Sequence, residues 1–307
     1  MMGLAAGAVA VLGHSGRRDA AQADEAPAPP AIDTHIHFFH PDPSVNASPA
    51  TPPEKKPILP ADWRRVANPC GVTQAIVIES SPDIEDNQRL LDLAARHPWI
   101  VGIVGQLPIG EEGCSRLIDR FAAHERFRGI RVNSDALLTG LDNAAYTADL
   151  ERLAAKGLVV DVIGPTRIVA ADRLAARLPE MRVLIEHMAG ATIDHDRPDP
   201  RWLDGIAAAA KRPNIYLKVS HVIQSAARDA EQPGLDRYLP WLSAVWDAFG
   251  DARVMFGTDW PVSQRHASYA RIHDLARQFM AGKGEEAGRR FFTDNARIAY
   301  GLSSSPA

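Results

Sequence analysis

His35 and His37 lie two residues apart in the run AIDTHIH (31–37), so in an extended strand their side chains leave the same face. His187 stands near the end of a second apolar run, RVLIEHM (182–188), and Asp259 near the end of a third, RVMFGTDW (253–260). Neutral imidazoles ligate zinc or manganese well, and a His-rich set with one carboxylate and an open position has catalytic character. The chemistry open to such a set is attack of water on a carbonyl, with Asp259 taking the proton and His187 helping to polarise the carbonyl. A metal-free version is also open, in which imidazoles and an arginine meet the oxyanion directly. The expected cofactor is therefore one divalent ion at most, zinc or manganese.

These four side chains can act together only if the fold brings the ends of their strands to one place. From Ala31 onward, eight short Val/Ile-rich runs alternate with stretches of helical period. The other five are QAIVIES (74–80), IVGIVGQ (100–106), FRGIRVN (127–133), LVVDVIG (158–164) and IYLKVS (215–220). The runs are apolar on both faces, as strands covered on both sides must be. Between them lie segments such as DIEDNQRLLDLAARH and TRIVAADRLAARL, which suit right-handed βα crossovers. Eight such units predict a single-domain α/β fold, a (β/α)₈ TIM barrel over residues 31–302, with the four groups at the catalytic ends of its strands. An open doubly wound sheet is the alternative, but no G-x-G-x-x-G or Walker A turn accompanies it. Two long connections, Gly190–Arg201 and His221–Arg237, are expected above the catalytic end.

Further candidates end or interrupt the strands. Arg131 could clamp a substrate carboxylate or pair with a loop acid, and Glu79 could accept a substrate hydroxyl. Lys218 interrupts the seventh run, so it either enters the site or snorkels between helices, and His221 is a loop contact to substrate. Asp33 is expected on the His35/His37 face, one step deeper, as a brace; Asp161 has no supporting partner in the sequence. The fourth run offers no lysine for a carbamylated two-metal site, and G-x-S-x-G and H-E-x-x-H are absent.

Lys plus Arg number 34 against 38 Asp plus Glu, a net charge of −4 that gives a nucleic-acid backbone nothing to bind. A small-molecule substrate is the expected partner, and the oligomeric state is left open. Two cysteines, Cys70 and Cys114, make no disulfide framework and read as buried thiols. The longest apolar run, Gly3–Gly13, is too short for a transmembrane span. Residues 1–30 combine that run with Ala21-Gln22-Ala23, a small-x-small cleavage pattern, but lack a basic start. They read as a signal-like leader and predict an exported, periplasmic protein; a disordered leader on a cytoplasmic protein is the alternative.

The motifs D-x-H-x-H (33–37), EHMAG (186–190), YLKVSH (216–221), GTDWPVS (257–263) and FFTDNARIAYGL (291–302) resemble the amidohydrolase-related (amidohydrolase 2) family of the amidohydrolase superfamily. Within it they are most similar to the sugar-lactonase and 2-pyrone-4,6-dicarboxylate lactonase-like group. The resemblance implies a TIM barrel whose site is built by His35, His37, His187 and Asp259, and hydrolysis of a lactone with Asp259 as base. The family's other chemistry, metal-dependent decarboxylation of an aromatic or muconate-type acid, is the alternative; it needs a carboxylate clamp, for which Arg131 and Arg228 are available. Two departures stand at the mouth: EHMAGA where relatives often carry a segment like DHLGKP, and His221 where a Gly is common.

Overall fold

The computed structural model describes residues 31–39, 57–194, 196–226 and 233–303; the leader and Arg228 lie outside the described residues. Eight strands form one sheet in sequence order: β1 (Ala31–Ile36), β2 (Val72–Ile78), β3 (Ile100–Gly105), β4 (Phe127–Asn133), β5 (Val159–Ile163), β6 (Val183–Ile185), β7 (Ile215–Val219) and β8 (Val254–Phe256). Every neighbouring pair is parallel. All eight apolar runs thus become strands, and the (β/α)₈ barrel is confirmed. The expected helical segments form as well, Asp86–Arg96 and Arg167–Arg177 among them. Among the described residues no helix is long and apolar enough to cross a membrane.

Alternation along the strands sorts the apolar side chains into two layers. Ile32, Ile76, Ile78, Val104, Val159, Leu184 and Met255 fill the barrel interior. Ala75, Val77, Ile103, Val160 and Val183 face outward and pack against the helices. The C-terminal helix Asn295–Tyr300 closes the barrel floor with Ala296, Ala299 and Tyr300. Each large aliphatic chain so buried contributes about 1.5–3 kcal/mol relative to exposure.

The β1–β8 seam carries the detail on which the site depends. Asp33 of β1 pairs with Ala75 but Ile36 with Val77, so β1 holds one extra residue between them. Such a bulge reverses the inward–outward phase of the residues beyond it. Ile32 accordingly faces the interior while Ile36 joins the outer layer. His35 turns inward, and Asp33 does not share its face. That corrects the expectation from simple alternation. Asp33 is instead the clasp of the seam: its carboxylate accepts from the Thr258 amide (3.0 Å), the Thr258 hydroxyl (2.6 Å), the Tyr269 hydroxyl (3.1 Å) and the His35 amide (3.1 Å). Burial raises its pKa to about 6 against the pull of those donors. Main-chain bonds complete the closure, from the Asp259 amide to the His35 carbonyl (2.9 Å) and from the His37 amide to the Trp260 carbonyl (2.8 Å).

Cys70 is half-buried rather than buried, Cys114 is buried, and both are free thiols. The Asp33 clasp predicts that Asp33→Ala, which strands buried donors at the seam, lowers unfolding stability by about 3 kcal/mol. Urea denaturation followed by tryptophan fluorescence measures it, and a loss under about 1 kcal/mol would remove the clasp role.

Candidate active site

The side chains singled out in the sequence gather where the strands end. His35 lies near the end of β1 and His37 just after it, Glu79 follows β2, Arg131 lies near the end of β4, His187 follows β6, Lys218 and His221 bracket the end of β7, and Asp259 follows β8. His35 Nε2 and His37 Nε2 are 3.2 Å apart, and Asp259 Oδ1 lies 3.7 and 3.4 Å from them. Ligands about 2.0–2.1 Å from a tetrahedral zinc stand about 3.3–3.4 Å from one another, so this triangle has the span of a metal-binding face. His37 Nδ1 donates to the carbonyls of Ile78 (3.2 Å) and Glu79 (3.1 Å), which leaves its Nε2 lone pair turned toward the triangle. Burial pushes the pKa of His35 well below its usual range, with the Lys218 charge adding to the effect. His187 falls to about 3, also through burial, against the pull of Asp259 and Glu186. Both rings are neutral at pH 7 and able to act as ligands.

Asp259 is fixed on its other oxygen. Oδ2 accepts from His221 Nδ1 at 2.7 Å and from Gln224 Nε2 at 3.3 Å. Burial by itself would raise the Asp259 pKa, but the His187 field and the bond from His221 outweigh it and hold the carboxyl well below the usual range. His187 Nδ1 is 2.9 Å from the Ser220 hydroxyl, and its ring lies between those of His35 (4.5 Å) and His221 (4.9 Å).

Beneath these rings runs a buried chain of charges. Lys218 is fully buried and ion-paired to Asp161, which also accepts from the Tyr300 hydroxyl (3.1 Å). The Lys218 ammonium is 3.8 Å from Glu186 Oε1 and 3.4 Å from His35 Nδ1. Glu186 Oε2 accepts from Arg131 Nε at 3.0 Å, and Arg131 continues to Glu79 at 3.4 Å. Lys218 thus enters the site rather than snorkelling outward, and Arg131 and Glu79 are tied to each other. Glu186 is the member that sequence reasoning missed, and Asp161, which had no partner in the sequence, finds one in Lys218. Each carried the same signal as Lys218, a charge interrupting an apolar run.

The donor set fits a divalent cation. His35 with His37 and Asp259, His35 with Glu186 and His187, and His187 with His221 and Asp259 each bring their ligand atoms within 4.8 Å of one another. Glu186 Oε1 is buried with no hydrogen-bond partner, which leaves an acceptor for the Nδ1–H of a ligating His35, 3.5 Å away.

Five non-glycine residues have left-handed backbone here: His187 (φ 56°), Met188 (φ 52°), Ala189 (φ 54°), His221 (φ 60°) and Asp259 (φ 61°). All lie at this end of the barrel, and each such conformation costs about 1–2 kcal/mol. Strand β6 consequently stops at Ile185 instead of running on to Met188, and the turn aims His187 back over the barrel. At His221 the positive φ is one a glycine adopts without strain. The loops above are joined to each other, the Ile193 amide donating to the Ser225 carbonyl at 2.7 Å. They bound an open cleft of about 520 Å³ lined by His37, Arg131, Arg167, His187, His221 and Asp259, with Gln224 and Thr192 above.

A parallel barrel with imidazoles and carboxylates converging on such a cleft is the architecture of a barrel enzyme. The chain belongs to the amidohydrolase (Amidohydro_2) family, whose model matches residues 32–302. It is 29% identical over 241 residues to an L-fucono-1,5-lactonase of Burkholderia ambifaria, covering 76% of this chain and 81% of that protein. An amidohydrolase of Burkholderia multivorans, crystallised with bound zinc, has a TM-score of 0.79 at 22% identity over 89% of this chain and 100% of its own. The 5-carboxyvanillate decarboxylase of Sphingomonas paucimobilis has a TM-score of 0.66 at 14% identity, over 89% and 99%. At these identities the two structural likenesses are likenesses of fold.

The charge chain predicts that Lys218→Met, which leaves Asp161 and Glu186 without their buried cation, destabilises the protein by about 3–5 kcal/mol. Adding Asp161→Asn should restore at least about 1 kcal/mol. Denaturant titration of both variants reads the coupling, and strictly additive losses would show that the pair does not act as a unit.

Proposed function

We propose that the protein hydrolyses a small lactone, and the triangle of His35, His37 and Asp259 at the floor of an open cleft carries that reading. The similarity to an L-fucono-1,5-lactonase supports it. His35, His37 and Asp259, with His187 beside them, would hold a divalent cation, which when bound would supply Lewis-acid polarisation of the ester carbonyl and of water. Asp259 is ionised at working pH and takes the proton of the water that attacks the carbonyl carbon. Its low pKa makes it a weak base at rest, so transfer occurs as the attacking water becomes acidic. The hydrogen bond from His221 keeps the receiving carboxylate in place. When the acyl–oxygen bond breaks, the same proton passes to the departing ring oxygen, and the product is a hydroxy acid.

His187 has two uses, set by its proton. With the Ser220 hydroxyl donating to Nδ1, the proton sits on Nε2, a neutral donor for the developing oxyanion. With Nδ1–H donating to Ser220, Nε2 is a ligand. Decarboxylation, the alternative chemistry, loses Arg131 as its carboxylate clamp, because Glu79 and Glu186 engage that guanidinium.

Acid release from a panel of aldono-lactones, followed with a pH indicator, tests the proposal. Asp259→Asn should lower kcat by at least about a hundredfold while circular dichroism stays unchanged. An Asp259→Asn enzyme of wild-type rate would remove the base, and carbon dioxide release from aromatic acids without lactone turnover would move the protein to the other chemistry. In equilibrium dialysis with zinc, His35→Ala should lower affinity by at least about tenfold, the effect of losing a ligand or its support. Unchanged zinc affinity would take His35 out of the ligand set.

A further inference from the structure

We propose that Arg167 selects lactones that carry a carboxylate, making the substrate an anionic sugar-acid lactone rather than a neutral one; this rests on the lactonase reading. Among the described residues, Arg167 and Arg131 are the two arginines lining the cleft. Arg131 is neutralised on the spot by Glu79 and Glu186. Arg167 has no ion pair among the described residues: Nε donates to the Gly164 carbonyl at 2.5 Å and Nη1 to the Glu186 carbonyl at 3.2 Å. The Glu186 field reaches it, but no carboxylate among the described residues ion-pairs with it, and its third nitrogen, Nη2, makes no hydrogen bond among those residues.

The guanidinium is also held in place. It packs against Gly190, where an added Cβ would stand 3.3 Å from Arg167 Cζ, and its two carbonyl bonds fix the plane of the fork. A planar, pre-oriented cation is the group that recognises a carboxylate best. Arg167 opens the helix Arg167–Arg177, whose first turn has no side-chain cap, so the helix dipole adds to the same positive field. Among the described residues lining the cleft, Asp259 is the only carboxylate, and His221 and Gln224 already occupy its outer oxygen. A second carboxylate on the substrate thus meets Arg167 without meeting an unpaired acid.

Wild type, Arg167→Gln and Arg167→Lys are compared on the monolactone of glucaric acid and on uncharged gluconolactone. Wild type should favour the charged lactone in kcat/KM by at least about tenfold, Arg167→Gln should bring the ratio close to one, mainly through KM, and Arg167→Lys should fall between. Loss of both activities in equal proportion would mean that Arg167 only braces the loop, and would overturn the proposal. So would a wild-type preference for the neutral lactone. Calorimetric binding of open-chain glucarate and gluconate supplies a readout independent of turnover. If neither lactone is hydrolysed but glucarate binds more tightly in an Arg167-dependent way, the anion site stands and the lactonase reading falls. Equal binding of the two acids to wild type removes the anion site.

Discussion

The structure turns on a shortage of positive charge inside the barrel mouth. Lys218 and Arg131 face four carboxylates, those of Asp161, Glu186, Glu79 and Asp259. Unpaired buried charge is expensive, so each carboxylate must find donors or a cation. Asp161 finds Lys218 and Tyr300, Glu79 finds Arg131, and Asp259 finds a ring of imidazoles. Glu186 is served on one oxygen and stranded on the other. Arg167 offsets part of the remaining negative charge, a cation would offset the rest, and the imidazoles that would share that cation are kept neutral by burial.

That arrangement is expensive in backbone as well as in charge. Three consecutive left-handed non-glycine residues after β6, and one each after β7 and β8, reverse the chain so that His187, His221 and Asp259 point back over the barrel axis. An extended continuation of any of these strands would carry its side chain away from the site. The Asp33 clasp and the two apolar layers supply the rigidity that holds the strained turns, and the β1 bulge does for His35 what the left-handed residues do for the others.

Much of this was legible in the sequence. Eight apolar runs with helical segments between them specified the barrel, and the strand-end positions of His35, His37, His187 and Asp259 specified which side chains meet. The phase of Asp33 was not legible, because period-two alternation assumes an unbroken ladder and a bulge leaves no mark in AIDTHIH. Nor was the end of β6, where EHMAG has one glycine but four left-handed residues. Glu186 went unnoticed because its neighbour His187 offered the more familiar chemistry. Arg167 lay in a helical stretch whose first residue, by periodicity alone, is an ordinary solvent-facing charge.

The position of His35 shows how metal-dependent and metal-free hydrolysis can share one set of residues. Its Nδ1 stands almost equally far from a donor, Lys218 Nζ at 3.4 Å, and an acceptor, Glu186 Oε1 at 3.5 Å. When Lys218 donates, the imidazole proton must sit on Nε2, facing His37 and Asp259, and the ring cannot ligate. When Nδ1–H donates to Glu186 instead, the orphaned oxygen is satisfied and the Nε2 lone pair joins those of His37 and Asp259. Both states keep Lys218 paired with Asp161, so neither requires the charge chain to rearrange. A single proton moving from one ring nitrogen to the other therefore separates a hydrogen-bonded site from a metal-binding one.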